Sequence, residues 1–183
     1  MSRIETIPKD VVEKITNELS PGDFVNFCSN NYSMCNSNEV YFRRMQKDFP
    51  FLIQYYPDIN KRAKNIYLEI FSGISRVAEE SVNLLLNNLG ELSKYFQKSF
   101  REDIYSFFFN QTVEVLKSSL IYSREKNVNE QRLFSRLVDK YHASLNNSSL
   151  LKHLRMDFEM DRTLFHVTSK FIKEMFKQLL KMG

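Results

Sequence analysis

Apolar positions recur every three or four residues along nearly the whole chain, and no stretch alternates strictly between apolar and polar residues. This pattern predicts helices and no strands, so the expected fold class is all-α. Val11, Val12, Ile15 and Leu19 fall in one stripe about 100° wide at 100° per residue, as in a short amphipathic first helix. Pro8 suits its first turn, where a missing N–H leaves nothing unsatisfied, and Asp10 lies near the positive end of the helix dipole. The run Ser20-Pro21-Gly22-Asp23 ends this helix and starts a second. Ser20 is placed to cap it, Pro21 to take the first helical position, and Asp23 follows three residues after the cap. Phe24, Phe27, Cys28 and Tyr32 share one side of the second helix, which the asparagines at 30, 31, 36 and 38 keep short. A third helix over 39–49 aligns Phe42, Met45 and Phe49.

Pro50 and Pro57 bracket an irregular connector that carries Phe51, Leu52, Tyr55 and Tyr56. An amphipathic helix follows, with Ala63, Ile66, Tyr67, Ile70 and Phe71 in register. Further helices are predicted over 74–89, 91–100, 102–122, 129–145, 149–158 and 162–182, with Gly90 and the Asn-Asn-Ser-Ser cluster at 146–149 as the plainest breaks. The segment 104–121 is apolar on more than one side, which places it at the centre of a helical bundle. No repeat of fixed period is present to indicate a solenoid.

Composition narrows the function classes. Of 183 residues 43% are apolar and 26% charged, the usage of an ordinary globular chain. The 26 basic and 22 acidic residues leave a net charge of +4, and the whole surplus lies after residue 75 without forming a polybasic tail. Nucleic acid is therefore disfavoured as a partner. No apolar run approaches the length of a membrane span. Two cysteines are too few for a disulfide scaffold and the start does not read as a signal peptide, so an intracellular, reducing compartment is the default expectation.

Candidate chemistry is sparse. His142, His153 and His166 sit on separate predicted helices with no cysteine or carboxylate at ligand spacing, and read as surface or boundary residues. Cys28 reads as a small core residue, and Cys28 and Cys35 have no second pair with which to hold zinc. Asp157, Glu159 and Asp161 lack the turn glycine and terminal glutamate of a calcium loop and read as helix-end charge. No glycine-rich loop cradles a phosphate. The last helix sets Leu164, Phe171, Ile172, Met175, Phe176 and Leu179 against Lys170, Lys173, Lys177 and Lys181, which reads as a packed face opposite a solvated one, the alternative being a basic face for an acidic partner or anionic lipid. No catalytic set, metal site or cofactor is expected.

Taken together, the first fifty residues read Ile7-Pro8, Asp10-Val11-Val12, Ile15, Leu19, Ser20-Pro21-Gly22-Asp23-Phe24, Cys28 and Tyr41-Phe42-Arg43-Arg44. This resembles the F-box, whose usual order is Leu-Pro, an acidic residue, two aliphatics, a spaced Ile and Leu, a Ser/Pro-x-Asp-Leu step and a closing Trp-Arg. Ile7, the Val11-Val12 pair, Phe24 and Phe42 depart from the family's usual residues but keep apolar character at apolar positions. The continuation Gln46-Lys47-Asp48-Phe49-Pro50 is similar to divergent F-box proteins of large DNA viruses.

The resemblance implies an F-box-like three-helix module over 1–50, a connector over 51–58 and an irregular C-terminal helical bundle over 59–183. It also implies docking onto a Skp-family adaptor, itself bound to a cullin scaffold of the ubiquitin machinery, with Ile7, Pro8, Val11, Val12, Ile15, Leu19 and Phe24 as the contact residues. The C-terminal helices would present an unidentified client in the cytoplasm or nucleus, of a host cell if the protein is viral. Helical periodicity alone does not distinguish such a docking ridge from ordinary core. The alternative is a structural or assembly protein, such as a minor virion component, built on an F-box-like helical trio.

Overall fold

The computed structural model describes residues 8–95, 98–123, 130–148, 151 and 158–182, and every regular element among them is helical. Seven α-helices follow one another: α1 Lys9–Glu18, α2 Pro21–Asn30, α3 Asn38–Asp48, α4 Ile59–Leu89, α5 Lys98–Ser123, α6 Glu130–Asn147 and α7 Phe158–Met182. Short 3₁₀ segments, Pro50–Tyr55 and Gly90–Tyr95, precede and follow α4. The chain divides into two compact units, one up to Ser72 and one from Gly73 to Lys181, with the division inside α4.

In the first unit the caps act as the sequence predicts. The Ser20 side chain accepts a hydrogen bond from the Asp23 amide at 3.2 Å, and Pro21 opens α2. Ser37 caps α3 by accepting from the Glu39 amide at 3.2 Å. Pro8 stands one position earlier than expected, as the N-cap of α1, and its carbonyl accepts from Val11 and Val12. The core is aromatic: Phe24 and Tyr67 meet edge to face at 5.4 Å, Tyr41 lies 5.4 Å from Phe24, and Phe49 lies 5.5 Å from Tyr67. The expected irregular connector is largely the first 3₁₀ segment, and it is part of this core: Leu52 is fully enclosed and Tyr56 is buried.

Sequence reading expects separate helices on either side of residues 72–73, whereas α4 runs through them. Gly73 is tolerated in mid-helix because the Phe171 ring of α7 lies against it, where a β-carbon would collide with the ring. The real irregularity is at Arg62, whose φ of −128° and ψ of 17° break the helical path of α4. The helix stops where Gly90 takes a positive φ of 58°, a conformation that glycine adopts without a β-carbon clash.

In the second unit α5 buries a wide sector of its surface: Ile104, Phe108, Phe109, Val115, Leu116 and Leu120 are all buried. It packs on α6, and Tyr141 of α6 meets Phe165 of α7 edge to face at 5.6 Å. The buried hydroxyls of Ser81, Thr112, Ser119 and Thr168 each donate to the carbonyl four residues earlier, so they enter the core with their hydrogen bonds made. The helix expected over 149–158 lies outside the described residues except for Leu151 and Phe158.

Candidate docking face

Ten residues of α1 rotate through less than three turns, and neighbouring positions stand 100° apart, so Val11 and Val12 cannot face the same way. Val12 points inward at 7% exposure, and Thr16, one turn on, is buried with its hydroxyl donating to the Val12 carbonyl at 2.9 Å. Val11 and Ile15 point outward, 40% and 39% exposed. They are two of only four large apolar side chains that stand exposed among the described residues, the others being Tyr32 and Ile121. Pro8 is exposed at one end of this line and Leu19 is half-buried at the other. Spacings of three, four and four residues place Pro8, Val11, Ile15 and Leu19 along a single strip of the outer surface.

Of the seven residues that the F-box resemblance assigns to docking, then, the structure sets Pro8, Val11, Ile15 and Leu19 together on the outside. Val12 and Phe24 lie in the core, Phe24 with no exposed surface at all, and Ile7 lies outside the described residues. The stripe drawn from periodicity is divided in two because a sector about 100° wide covers both the packed edge and the open edge of so short a helix. Phe42 is half-buried. On the far edge of the packed face Glu13 forms an ion pair with Arg43, which also pairs with Glu39 at 3.1 Å.

What fixes α1 in this orientation is Arg44, a residue that the sequence reading leaves without a role. It is 1% exposed, and its Nη1 donates to the carbonyls of Thr16 at 3.0 Å and Leu19 at 2.8 Å. These carbonyls belong to the C-terminal end of α1, where no further turn is available to receive them and the dipole favours a cation. The same guanidinium lies 4.7 Å from the centroid of the Phe24 ring and pairs with Asp48 at 2.7 Å. Asp48 in turn accepts a hydrogen bond from the Tyr67 hydroxyl at 2.7 Å. Burial pushes the Asp48 carboxyl above its ordinary range, against the opposing pull of Tyr67 and Arg44. Burial together with the neighbouring Asp48 raises the Tyr67 phenol strongly. The network joins α1, α3 and α4 through one buried cation.

Cys28 is buried, as expected, but its sulfur is not free: it forms a disulfide with Cys35. The sequence reading leaves both as thiols in a reducing compartment. A separation of seven residues says nothing about pairing until the Asn31–Met34 turn folds the chain back.

His142 is a boundary residue, but its Nδ1 engages the carboxylate of Asp161, which is 1% exposed in the first turn of α7 and is not a solvated helix-end charge. Asn146 lies 2.9 Å from the other ring nitrogen. His166 is exposed and His153 lies outside the described residues. Among the described residues no group of three or more His, Cys, Asp or Glu side chains is arranged to hold a metal ion. A cleft of about 340 Å³ between α4 and α5 is lined by Glu79, Val82, Asn83, Lys98, Arg101 and Tyr105, and shares no residue with the α1 strip. No helix among the described residues is long and apolar enough to cross a membrane. Comparison of the chain with protein-family models, curated proteins and solved structures finds no match.

Proposed function

We propose that this protein is a non-enzymatic F-box-type adaptor whose α1 strip docks a Skp-family subunit of a cullin-RING ubiquitin ligase, and whose C-terminal helices present a client. One observation carries the reading: Val11 and Ile15 stand about 40% exposed on α1, while the core-forming neighbours Val12 and Phe24 are already buried without them. Val11 and Ile15 thus form, one turn apart, an apolar patch that the interior does not require. A partner that covers it removes that surface from water, at roughly 25 cal/mol per Å². The adaptor would raise the rate of ubiquitin transfer by holding client and ligase at high effective concentration, with no chemistry of its own.

The test is capture of a purified Skp-type adaptor by the full chain at micromolar concentration. Binding that is abolished by V11D/I15D and kept by E80K, a change at an exposed position of the second unit, supports the reading. An intact, folded chain that ignores the adaptor overturns it.

The disulfide favours a second reading. Such bonds persist in oxidising environments, including virion surfaces, and are rare in cytosolic proteins. A structural or assembly component would co-purify stoichiometrically with native particles or complexes, whereas an adaptor would turn over with its client. Mass spectrometry of purified assemblies separates the two.

A further inference from the structure

The disulfide closes a small loop whose crown meets a side chain of α4. Between Cys28 and Cys35 the chain makes a turn, with Met34 donating to the Asn31 carbonyl at 3.0 Å and Cys35 to the Tyr32 carbonyl at 3.2 Å. Tyr32, at the crown, is 62% exposed, yet the Lys64 ammonium of α4 sits 4.3 Å from its ring centroid. Just beyond the loop, the Asn38 side chain makes two hydrogen bonds to the backbone of α4. Its Nδ2 donates to the Lys61 carbonyl at 2.8 Å, and its Oδ1 accepts from the Lys64 amide at 3.1 Å. These two groups flank Arg62, where the helical path is broken. Asn38 is therefore a helix cap supplied from another element, filling the gap that the kink opens.

Lys64 is thus held twice by the same stretch of chain, through its side chain by Tyr32 and through its amide by Asn38. Cys28 and Cys35 are 4% and 2% exposed, so the bond lies under a loop in which Ser29, Asn30, Tyr32 and Ser33 face solvent and Asn31 and Met34 are half-buried. Apart from the cysteines themselves no residue of that loop is buried, and local opening is the step that admits a small thiol or disulfide to the sulfurs.

We propose that Cys28 and Cys35 form a reversible thiol–disulfide site whose oxidised form clamps the 31–37 turn and thereby orders the start of α4. Oxidation uses a small-molecule disulfide such as oxidised glutathione. One cysteine thiolate attacks it to give a mixed disulfide and release one glutathione. The second cysteine then displaces the other glutathione, forming the Cys28–Cys35 bond and passing two electrons in all to the reagent. Reduction by excess thiol runs the same two exchanges backwards. Without the crosslink the loop regains conformational freedom, and the contacts of Tyr32 and Asn38 with Lys64 are made only part of the time.

The experiment uses the full chain equilibrated with either dithiothreitol or oxidised glutathione, with thiols counted by alkylation and mass spectrometry and amides followed by hydrogen exchange. The expected result is two alkylated cysteines in the reduced protein and none in the oxidised one, with Lys64 amide exchange about tenfold faster after reduction. N38A should exchange rapidly at Lys64 in both redox states, and C28S/C35S should match the reduced protein with either reagent. Should the double serine variant fail to fold, the two reagents on the natural chain decide the matter alone. Thiols that stay reduced under oxidised glutathione overturn the proposal, as does Lys64 exchange that is equal in both states while the thiol count changes.

Discussion

The Arg44 guanidinium and the Asp48 carboxylate, one turn apart on α3, pair at 2.7 Å, with Arg44 1% and Asp48 8% exposed. A buried pair of this kind is weak evidence of net stabilisation, because both ions give up water, but removing one partner leaves the other charge stranded. Here the cation also closes the end of α1. Arg44→Ala should therefore cost about 3 to 5 kcal/mol, enough to unfold the first unit under mild denaturant. Chemical denaturation followed by circular dichroism checks this. Loss of less than about 1 kcal/mol would show that the network is dispensable.

The outer strip of α1 makes the opposite prediction. V11D/I15D changes two exposed side chains and should move stability by no more than about 1 kcal/mol, whereas Phe24→Ala empties a fully enclosed site and should cost about 3 to 5 kcal/mol. Thermal melts of the two variants beside the parent read the difference directly. The contrast also guards the docking test, since a strip variant that keeps its fold but loses a partner has lost a contact and not a core.

Gly73→Ala sets two effects against each other. Alanine in mid-helix is worth up to about 1 kcal/mol over glycine, but the new methyl must displace the Phe171 ring, and overpacking costs about 1 to 3 kcal/mol. The net expectation is a loss, relieved in G73A/F171L, where a smaller side chain makes room. A stabilised single variant would mean that the ring yields freely.

Alkali should weaken the fold through its enclosed phenols. Burial, with a smaller contribution from Glu69, pushes the Tyr56 phenol from its ordinary 10 up to about 12. Folding therefore favours the neutral phenol, and the resulting stability is fully present below pH 10 and is lost as pH rises towards 12. Tyr67 and Tyr141 are raised in the same direction. Melting temperature should fall between about pH 10 and about pH 12, with Tyr56 contributing on the order of 1 kcal/mol, and Y56F should flatten part of that decline.

Much of the helical order was legible in the sequence because it depends on local chemistry. Ser20 and Pro21 start α2 by contacts within a few residues, and the apolar girth of 104–121 announces a helix with a wide buried sector wherever its neighbours lie. Three features were not legible, each for want of a distant partner. Arg44 looks like one more surface cation until the carbonyls of Thr16 and Leu19 arrive from another helix. Asp161 looks like helix-end charge until His142, nineteen residues earlier, meets it. The seven-residue spacing of the cysteines gives no sign of a bond until the turn is formed. For the candidate site the limit was angular: periodicity located α1 and its aliphatic stripe but not the dividing line between Val12, which faces in, and Val11, which faces out.

Because Arg44 grips α1 by main-chain oxygens, its hold is indifferent to which side chains the helix displays outward. Replacements at positions 11 and 15 can accumulate over generations without endangering the architecture beneath them. A lineage carrying this scaffold is free to redraw its outer face while the interior stays as it was.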